Sequence, residues 1–326
     1  MKHTSIINPQ ISTKNLNKQL LKNLKIGVVD AKFQYIGSKQ AKSWLAKCDS
    51  NDYLHHRNFV NEIKNIAPKL GEYIKDDVNI IGLGIGNCVQ EIILAQEFLK
   101  NKKVSLSMVD SSWELIHAAL ENAASLDIPK EAFWSDIVKS DAIKNIGDHV
   151  KRVHNPMNFY TLLGGTICNF PQSLIIKVLR DSLKKEDLLL VSFFGRRCSD
   201  VMQEIYDSAD IVDAYRGESS KSHDLSTLEP FGITEEDGYM QVDYGIDKRI
   251  PFINIIERKF VFSNDCKVNF MDEDVYFAEG ENILVGTSCV YSMDSVKHLF
   301  KSHGLRVVKS FEDKTKRYIH LLCKLG

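Results

Sequence analysis

The sequence has no pairing pattern among its cysteines: seven of them lie scattered at positions 48, 88, 168, 198, 266, 289 and 323, with no C-x-x-C pair. An odd, dispersed set argues against a disulfide framework and against a zinc site, and it fits a reducing cytoplasm. Net charge is missing as well. With 42 Lys plus Arg against 43 Asp plus Glu, no field draws the chain onto nucleic acid or an anionic membrane. No stretch approaches the ~20 consecutive apolar residues of a membrane helix, and the opening MKHTSIINPQ has no apolar signal core. Repeats and low-complexity tracts are absent. What is present is a hydrophobic fraction of 44% over 326 residues, enough to fill one large core or two modest ones. The composition describes a folded cytoplasmic protein whose partners are small molecules, with no metal implied.

The first stretch, rich in Asn, Lys and Ser, is expected to end in loosely held chain. From about residue 60, helix-period and strand-like segments alternate. FVNEIKNIAPKLGEYI reads as a helix, VNIIGLG as a buried strand and VQEIILAQEFL as a helix. KVSLSMVD, a short strand near AFWSDI, NFYTLLGG and DLLLVSFF continue the strands, with helices at SWELIHAALENAASL and SLIIKVLRDSL. This alternation predicts a parallel α/β sheet. After Phe194 the rhythm breaks into polar helix or loop, and then INIIERKFVF, KVNFM and ENILVGTSCVY alternate like antiparallel strands, the pattern of an inserted second domain. The helix SMDSVKHLFKSHG and the strands LRVVKSFED and RYIHLLCKL follow. The connection between those last two strands is too short for a crossover, so they must form an antiparallel hairpin. A terminal reversed strand of this kind separates a methyltransferase sheet from an ordinary dehydrogenase sheet.

NIIGLGIGN, residues 79–87, places Gly82, Gly84 and Gly86 just past a buried strand, where the backbone can turn tightly and a ligand can approach it. A dinucleotide fingerprint needs G-x-G-x-x-G, and Cys88 and Val89 stand where a third glycine would. The spacing therefore disfavours a pyrophosphate, and with it a dehydrogenase. It suits a cofactor held through an amino-acid part and a ribose, which describes S-adenosylmethionine. Such a site needs a carboxylate at the end of the second core strand to accept from both ribose hydroxyls. Asp110 in LSMVD supplies it, although an Asp here could equally cap the next helix. Asp136, in WSDI, can receive the adenine amino group, with Ile137 packing near the ring; an ordinary loop acid is the alternative.

FYTLLGGTICNFPQ, residues 159–172, puts small residues and Asn169 at the carboxyl end of a later strand, where open α/β sheets bind ligands. This segment resembles the L-G-S-T-I-G-N-F signature of the histidine-specific methyltransferases, which trimethylate the α-amino group of histidine. FQYIGSKQA is similar to that family's Y-D-x-x-G-S motif and IYDSADIVDAY to its Y-N-x-A-x-G-V stretch. VYFAEGENILVGTSCVY is similar to its F-x-x-G-E-x-I-x-x-E-x-S-x-K-Y block. The resemblance implies a Rossmann-like class I methyltransferase core at 60–197 and 286–326, and a second α+β substrate-binding or lid domain at 1–59 and 198–285. It also implies site roles. Asn169 matches the Asn that binds the amino-acid head group, where an amide can both donate to a carboxylate and accept from an amine; a helix cap is the alternative. Tyr53 matches a tyrosine near the α-amine, with a packing residue as the alternative, Tyr206 one that lines the substrate pocket, and Ser288 a serine on the substrate side. Tyr53 and Asn169 are the candidates for acting at the reacting centre.

Gly286 stands where the family carries a Glu that grips the imidazole, and Val290 replaces its Lys. Loss of that carboxylate argues against free histidine. A glycine at 286 is expected to open room for a bulkier or apolar acceptor, tryptophan-like or a modified amino acid, and Cys168 to narrow the head-group region. The activity expected is N-methylation of an amino acid or amino-acid-like molecule of secondary metabolism. A fold-retaining homologue that binds the cofactor without catalysis, or acts as a partner subunit, is the alternative. The histidines form no spacing that reads as a dyad or metal site.

Overall fold

A computed structural model describes residues 4–7, 13–154, 157–197, 202, 209–248, 250 and 252–326. The chain divides into two compact units, one of Met1–Gln10, His56–Arg197 and Tyr291–Gly326, the other of Ile11–His55 and Cys198–Val290.

The first unit is built on six parallel strands: β1 (Thr4–Ile7), β2 (Val78–Leu83), β3 (Val104–Asp110), β4 (Lys130–Trp134), β5 (Met157–Leu162) and β6 (Leu188–Gly195). Their spatial order is β1-β4-β3-β2-β5-β6. Every residue of β2, β3 and β6 is buried, which explains why these strands read as continuous apolar runs rather than alternating ones. The strand order reverses at β2, which pairs β3 on one side and β5 on the other. A crevice for ligands opens at the carboxyl ends of strands at such a switch point.

Two features of this unit depart from expectation. The N-terminal stretch, expected to be loosely held, contains β1, which pairs parallel to β4 from Thr4↔Lys130 to Ile7↔Phe133. Residues 4–7 thus belong with the first unit, because the backbone groups along the edge of β4 give them a ladder to join. The helix Ser140–His154 was not foreseen, since its mid-helix Gly147 and many polar residues obscure the 3.6-residue period of Ile143, Ile146 and Val150. That glycine is a packing requirement: a Cβ there would fall 1.9 Å from the Tyr160 hydroxyl.

The second unit contains the helices Thr13–Lys25, Ser38–Asp49, Ala209–Arg216 and Glu218–Leu228. Its strands β7 (Gly238–Ile246), β8 (Asn254–Phe262) and β11 (Asn282–Tyr291) lie antiparallel in the order β11-β8-β7. A separate hairpin joins β9 (Cys266–Phe270) to β10 (Glu273–Phe277). Met271 and Asp272 form its two-residue turn at φ +56 and +62, the primed geometry that matches strand twist. Leu20, Leu24, Phe33, Phe231, Phe260, Phe262 and Ile283 form the core of the unit.

The chain returns to the first unit through the helix Met293–Ser302 and the hairpin of β12 (Leu305–Glu312) with β13 (Tyr318–Leu325). β13 lies antiparallel to β6, with Tyr318 opposite Phe194. The terminal reversed strand anticipated from the short connection is present.

Candidate active site

At the switch point of the first unit the backbone leaves β2 and turns through Gly84 (φ +61) and Gly86 (φ +54) into the helix Val89–Phe98. Glycine at 84 is demanded twice, by its left-handed φ and by space. A Cβ there would lie 3.1 Å from Thr166 Cγ2 and 3.6 Å from Ile137 Cδ1. The same closeness brings together the glycine turn, Ile137 and the segment after β5. At Gly82 a Cβ would fall 2.2 Å from Ile85 Cδ1.

Asp110 ends β3 and is 5% exposed. The N–H of Gly86 donates to its Oδ2 at 3.2 Å and the N–H of Ser112 to its Oδ1 at 2.8 Å. It does not cap the next helix: Ser112 does, its Oγ accepting from the N–H of Leu115 at 3.3 Å. Burial pushes Asp110 up to about 6, against the lowering effect of the N–H groups aimed at it. Each oxygen keeps lone-pair capacity beyond its backbone partner. The N–H of Ser135 donates to the Asp110 carbonyl at 2.8 Å, which ties the loop carrying Asp136 and Ile137 to this end of β3. Asp136 is buried and its Oδ1 accepts from the N–H of Val138 at 3.2 Å.

Two further residues were not foreseen. Glu91 is buried in the first turn of the helix after the glycines, where Thr161 Oγ1 donates to its Oε1 at 3.0 Å. Burial raises its carboxyl to about 7. The neighbouring Gln90 is also buried, and among the described residues its Oε1 has no hydrogen-bond partner. Its Nε2 lies 3.1 Å from the place of a Cβ on Gly164. The available signal was a Gln-Glu pair directly after the glycine turn, ahead of the apolar run IILA in VQEIILAQEFL. This acceptor set fits S-adenosylmethionine. Gln90 Oε1 suits an ammonium donor, Asp110 a vicinal diol, and Asp136 with Ile137 a flat amino-bearing base.

After β5 the chain passes through Gly164 (φ +67) and Gly165 (φ +76) into a 3-10 turn, Thr166–Asn169, that ends on the half-buried Asn169. The helix Gln172–Ser182 starts from Pro171 without a side-chain cap, so Asn169 does not cap it. Cys168 is fully buried, and its Sγ accepts from the N–H of Phe194 at 3.4 Å. The expectation that it narrows a head-group region is corrected: its thiol packs toward β6.

Three predicted residues lie in the second unit. The buried Tyr53 is hydrogen-bonded through its hydroxyl to that of Tyr215, which donates to Ser288 Oγ at 3.0 Å. Tyr53 and Ser288 are thus joined through Tyr215, a residue the sequence reading passed over. Tyr206, chosen from the same stretch, lies outside the described residues. Gly286 needs a correction. It does not open room, because a Cβ there would fall 2.1 Å from Arg258 Nη2 and 2.5 Å from Gln34 Nε2. Arg258 is the cross-strand partner of Gly286 at a bulge between β11 and β8. The absence of a side chain makes way for the protein's own guanidinium.

Among the described residues no group of His, Cys, Asp or Glu could hold a metal ion, and no helix is long and apolar enough to cross a membrane. The chain matches the family of histidine-specific, SAM-dependent methyltransferases over residues 38–325. No curated protein matches it significantly. Among solved structures, the CcbJ methyltransferase of Streptomyces caelestis is 11% identical, with a TM-score of 0.41 over 81% of this chain and 95% of that one. A SAM-dependent methyltransferase of Anabaena variabilis is 10% identical, with a TM-score of 0.43 and full coverage of both chains. Likenesses at this level are too distant to carry an argument, so the assignment rests on the family match and on the site: the chain belongs to the histidine-specific, S-adenosylmethionine-dependent methyltransferase family.

Proposed function

We propose that the chain transfers a methyl group from S-adenosylmethionine to the amino nitrogen of an amino acid or amino-acid-like molecule, and that free histidine is not its acceptor. The observation that carries the exclusion is Arg258, whose guanidinium fills the space above Gly286. A guanidinium only donates. An imidazole N–H directed there would meet a donor, and an imidazolium would meet a like charge.

When bound, S-adenosylmethionine supplies a methyl carbon on a sulfonium. The acceptor nitrogen must present a lone pair in line with that carbon–sulfur bond. Transfer would form a nitrogen–carbon bond as the carbon–sulfur bond breaks, with the nitrogen's proton lost to water and S-adenosylhomocysteine released. The chain's own residues position the reactants. In the first unit the glycine turn, Asp110, Asp136 and Ile137 suit the nucleoside and Asn169 an amino-acid head group; in the second, the hydroxyls of Tyr53, Tyr215 and Ser288 are linked hydrogen-bonding groups suited to a polar acceptor. Burial holds Tyr53 well above its ordinary pKa, so its hydroxyl stays protonated and works as a hydrogen-bonding group, not as a phenolate base.

The test is a screen of the full chain with methyl-labelled donor against histidine, the other amino acids and their decarboxylated amines, with the methylated atom located by mass spectrometry. N-methylation of an acceptor other than histidine is the expected result. Histidine as the best substrate, or methylation at oxygen, sulfur or carbon, overturns the reading.

A further inference from the structure

Lys47, on the helix Ser38–Asp49, is 1% exposed. Among the described residues its ammonium makes no hydrogen bond and no ion pair. It stands instead among aromatic rings, 4.3 Å from the centroid of Tyr53, 5.2 Å from Tyr215 and 5.8 Å from Trp44. The Tyr215 ring serves a second buried cation, with Arg258 Cζ 5.0 Å from its centroid. Among the described residues Arg258 has one anionic partner: Nη1 donates to Asp224 Oδ1 at 2.9 Å, and Nη2 donates to the neutral Gln34 Oε1 at 3.1 Å. Its Nε is buried with no partner among the described residues.

The remaining neighbours do not balance the charge. His223 packs 5.5 Å from Trp44 and 5.7 Å from Tyr35, and burial together with the two cations pushes its pKa well below the ordinary value, so it is neutral. Tyr35 and Tyr53 are held protonated by burial, and burial likewise keeps the Cys48 thiol protonated. Asp52, the other acid that acts on Lys47, is exposed and already accepts from the N–H of Ser219 at 2.9 Å. Among the described residues, two buried cations therefore share one buried carboxylate. Ring contacts return only part of the hydration a buried ammonium loses. The cost shows in Lys47 itself, whose pKa falls to about 7, driven first by burial.

Building on the acceptor assignment above, we propose that this cluster seats a single monovalent oxyanion. The acceptor is then an amino acid whose side chain ends in a carboxylate or sulfonate, held by Lys47 and Arg258. With Lys47 protonated, one negative charge neutralises the cluster, whereas a phosphate dianion exceeds it, and a bound anion beside the ring-enclosed ammonium favours that protonated form. An apolar side chain would leave the Lys47 ammonium without a counter-charge and the buried Arg258 Nε without a partner, the costly arrangement for enclosed donors.

The test is calorimetry on the full chain, with and without S-adenosylhomocysteine. The probes are aspartate, glutamate, 2-aminoadipate, cysteate and homocysteate, against the amides asparagine and glutamine. At least one acid is expected to bind about thirtyfold or more tightly than the neutral amides, the effect of a buried charge partner. Lys47→Met should abolish that preference and Lys47→Arg should keep most of it. Response to carboxylates alone or to sulfonates alone identifies the source, and either supports the proposal. Equal binding of acids and amides, no binding of any acid, or an undiminished preference in a Lys47→Met protein that still binds S-adenosylhomocysteine overturns it. Failure of the wild type to bind S-adenosylhomocysteine sinks the methyltransfer reading instead, and the acid-against-amide comparison made without it still decides the charge seat.

Discussion

The cofactor cradle can be tested by titrating Asp110. In the ligand-free chain burial raises this carboxyl from 3.8 to about 6, and accepting from two ribose hydroxyls requires the ionised form. The affinity for S-adenosylhomocysteine should therefore be level near pH 7.5, drop about twofold at pH 6 and about tenfold at pH 5. Asp110→Asn gives the complementary perturbation. Both carboxylate oxygens accept a backbone N–H, from Gly86 and from Ser112, so an amide in either orientation sets its NH₂ against a donor. Loss of charge-assisted acceptance costs about 1.5–3 kcal/mol, or roughly 10- to 150-fold in affinity. Glu91, raised by burial to about 7, titrates close by, and a parallel Glu91→Gln protein isolates its share. Calorimetric titration between pH 5 and 7.5 reads all three proteins. The stability of the free chain supplies a control of opposite sign. A folded pKa above the unfolded one means that the native state binds more protons between about pH 4 and 6, so this group's contribution to stability falls as pH rises through that window. Affinity climbing with pH while stability declines cannot be acid unfolding. Wild-type affinity unchanged from pH 7.5 to 5, or Asn binding within twofold of wild type, would refute the placement of the ribose on Asp110.

Two further substitutions probe the second unit. Tyr215→Phe keeps the ring beside Lys47 and Arg258 but removes the hydroxyl between Tyr53 and Ser288. It should raise the acceptor KM by roughly 5- to 150-fold, the effect of orphaning buried hydroxyls at about 1–3 kcal/mol, and leave S-adenosylhomocysteine affinity unchanged; an unaltered KM counts against the hydroxyl chain. Gly286→Ala places a methyl 2.1 Å from Arg258 Nη2 and should destabilise the protein by about 1–3 kcal/mol through overpacking. A melting temperature equal to wild type would mean that Arg258 does not occupy that space.

The strand, glycine turn and helix of the candidate cofactor site were legible in the sequence because their determinants are local. A strand, a glycine turn and a helix follow one another within residues 78–98, and each residue's part follows from conformations its neighbours also impose. Asp110 needed only one step of reasoning more, since a parallel neighbour brings the ends of β2 and β3 side by side. The alternative roles for Asp110 and Asn169 as helix caps could not be dismissed from sequence, because Asp and Asn cap helices for the same hydrogen-bonding reasons that suit them to ligands. The structure places Ser112 and Pro171 at those caps. Gln90 and Glu91 escaped notice because burial, not residue type, makes them unusual.

The acceptor half was misread where the inference equated a missing side chain with a vacancy. Packed interiors leave few voids, so a glycine in a strand signals that something else comes close as readily as it signals space. What comes close to Gly286 is set by strand pairing. Arg258 faces it only because β8 and β11 run antiparallel with a register shift between Leu284 and Gly286, and no local pattern encodes that register. Lys47, Asp224 and Arg258 each look like surface residues in a chain whose charges balance to −1, and a global tally conceals a local excess. Burial turns that excess into chemistry: on the surface Lys47 would be one of many solvated ammoniums, whereas enclosed by Trp44, Tyr53 and Tyr215 it requires a counter-charge. On the proposed reading, departure from the histidine pattern at position 286 changes the sign of the group there, from a carboxylate that accepts hydrogen bonds to a guanidinium that donates them.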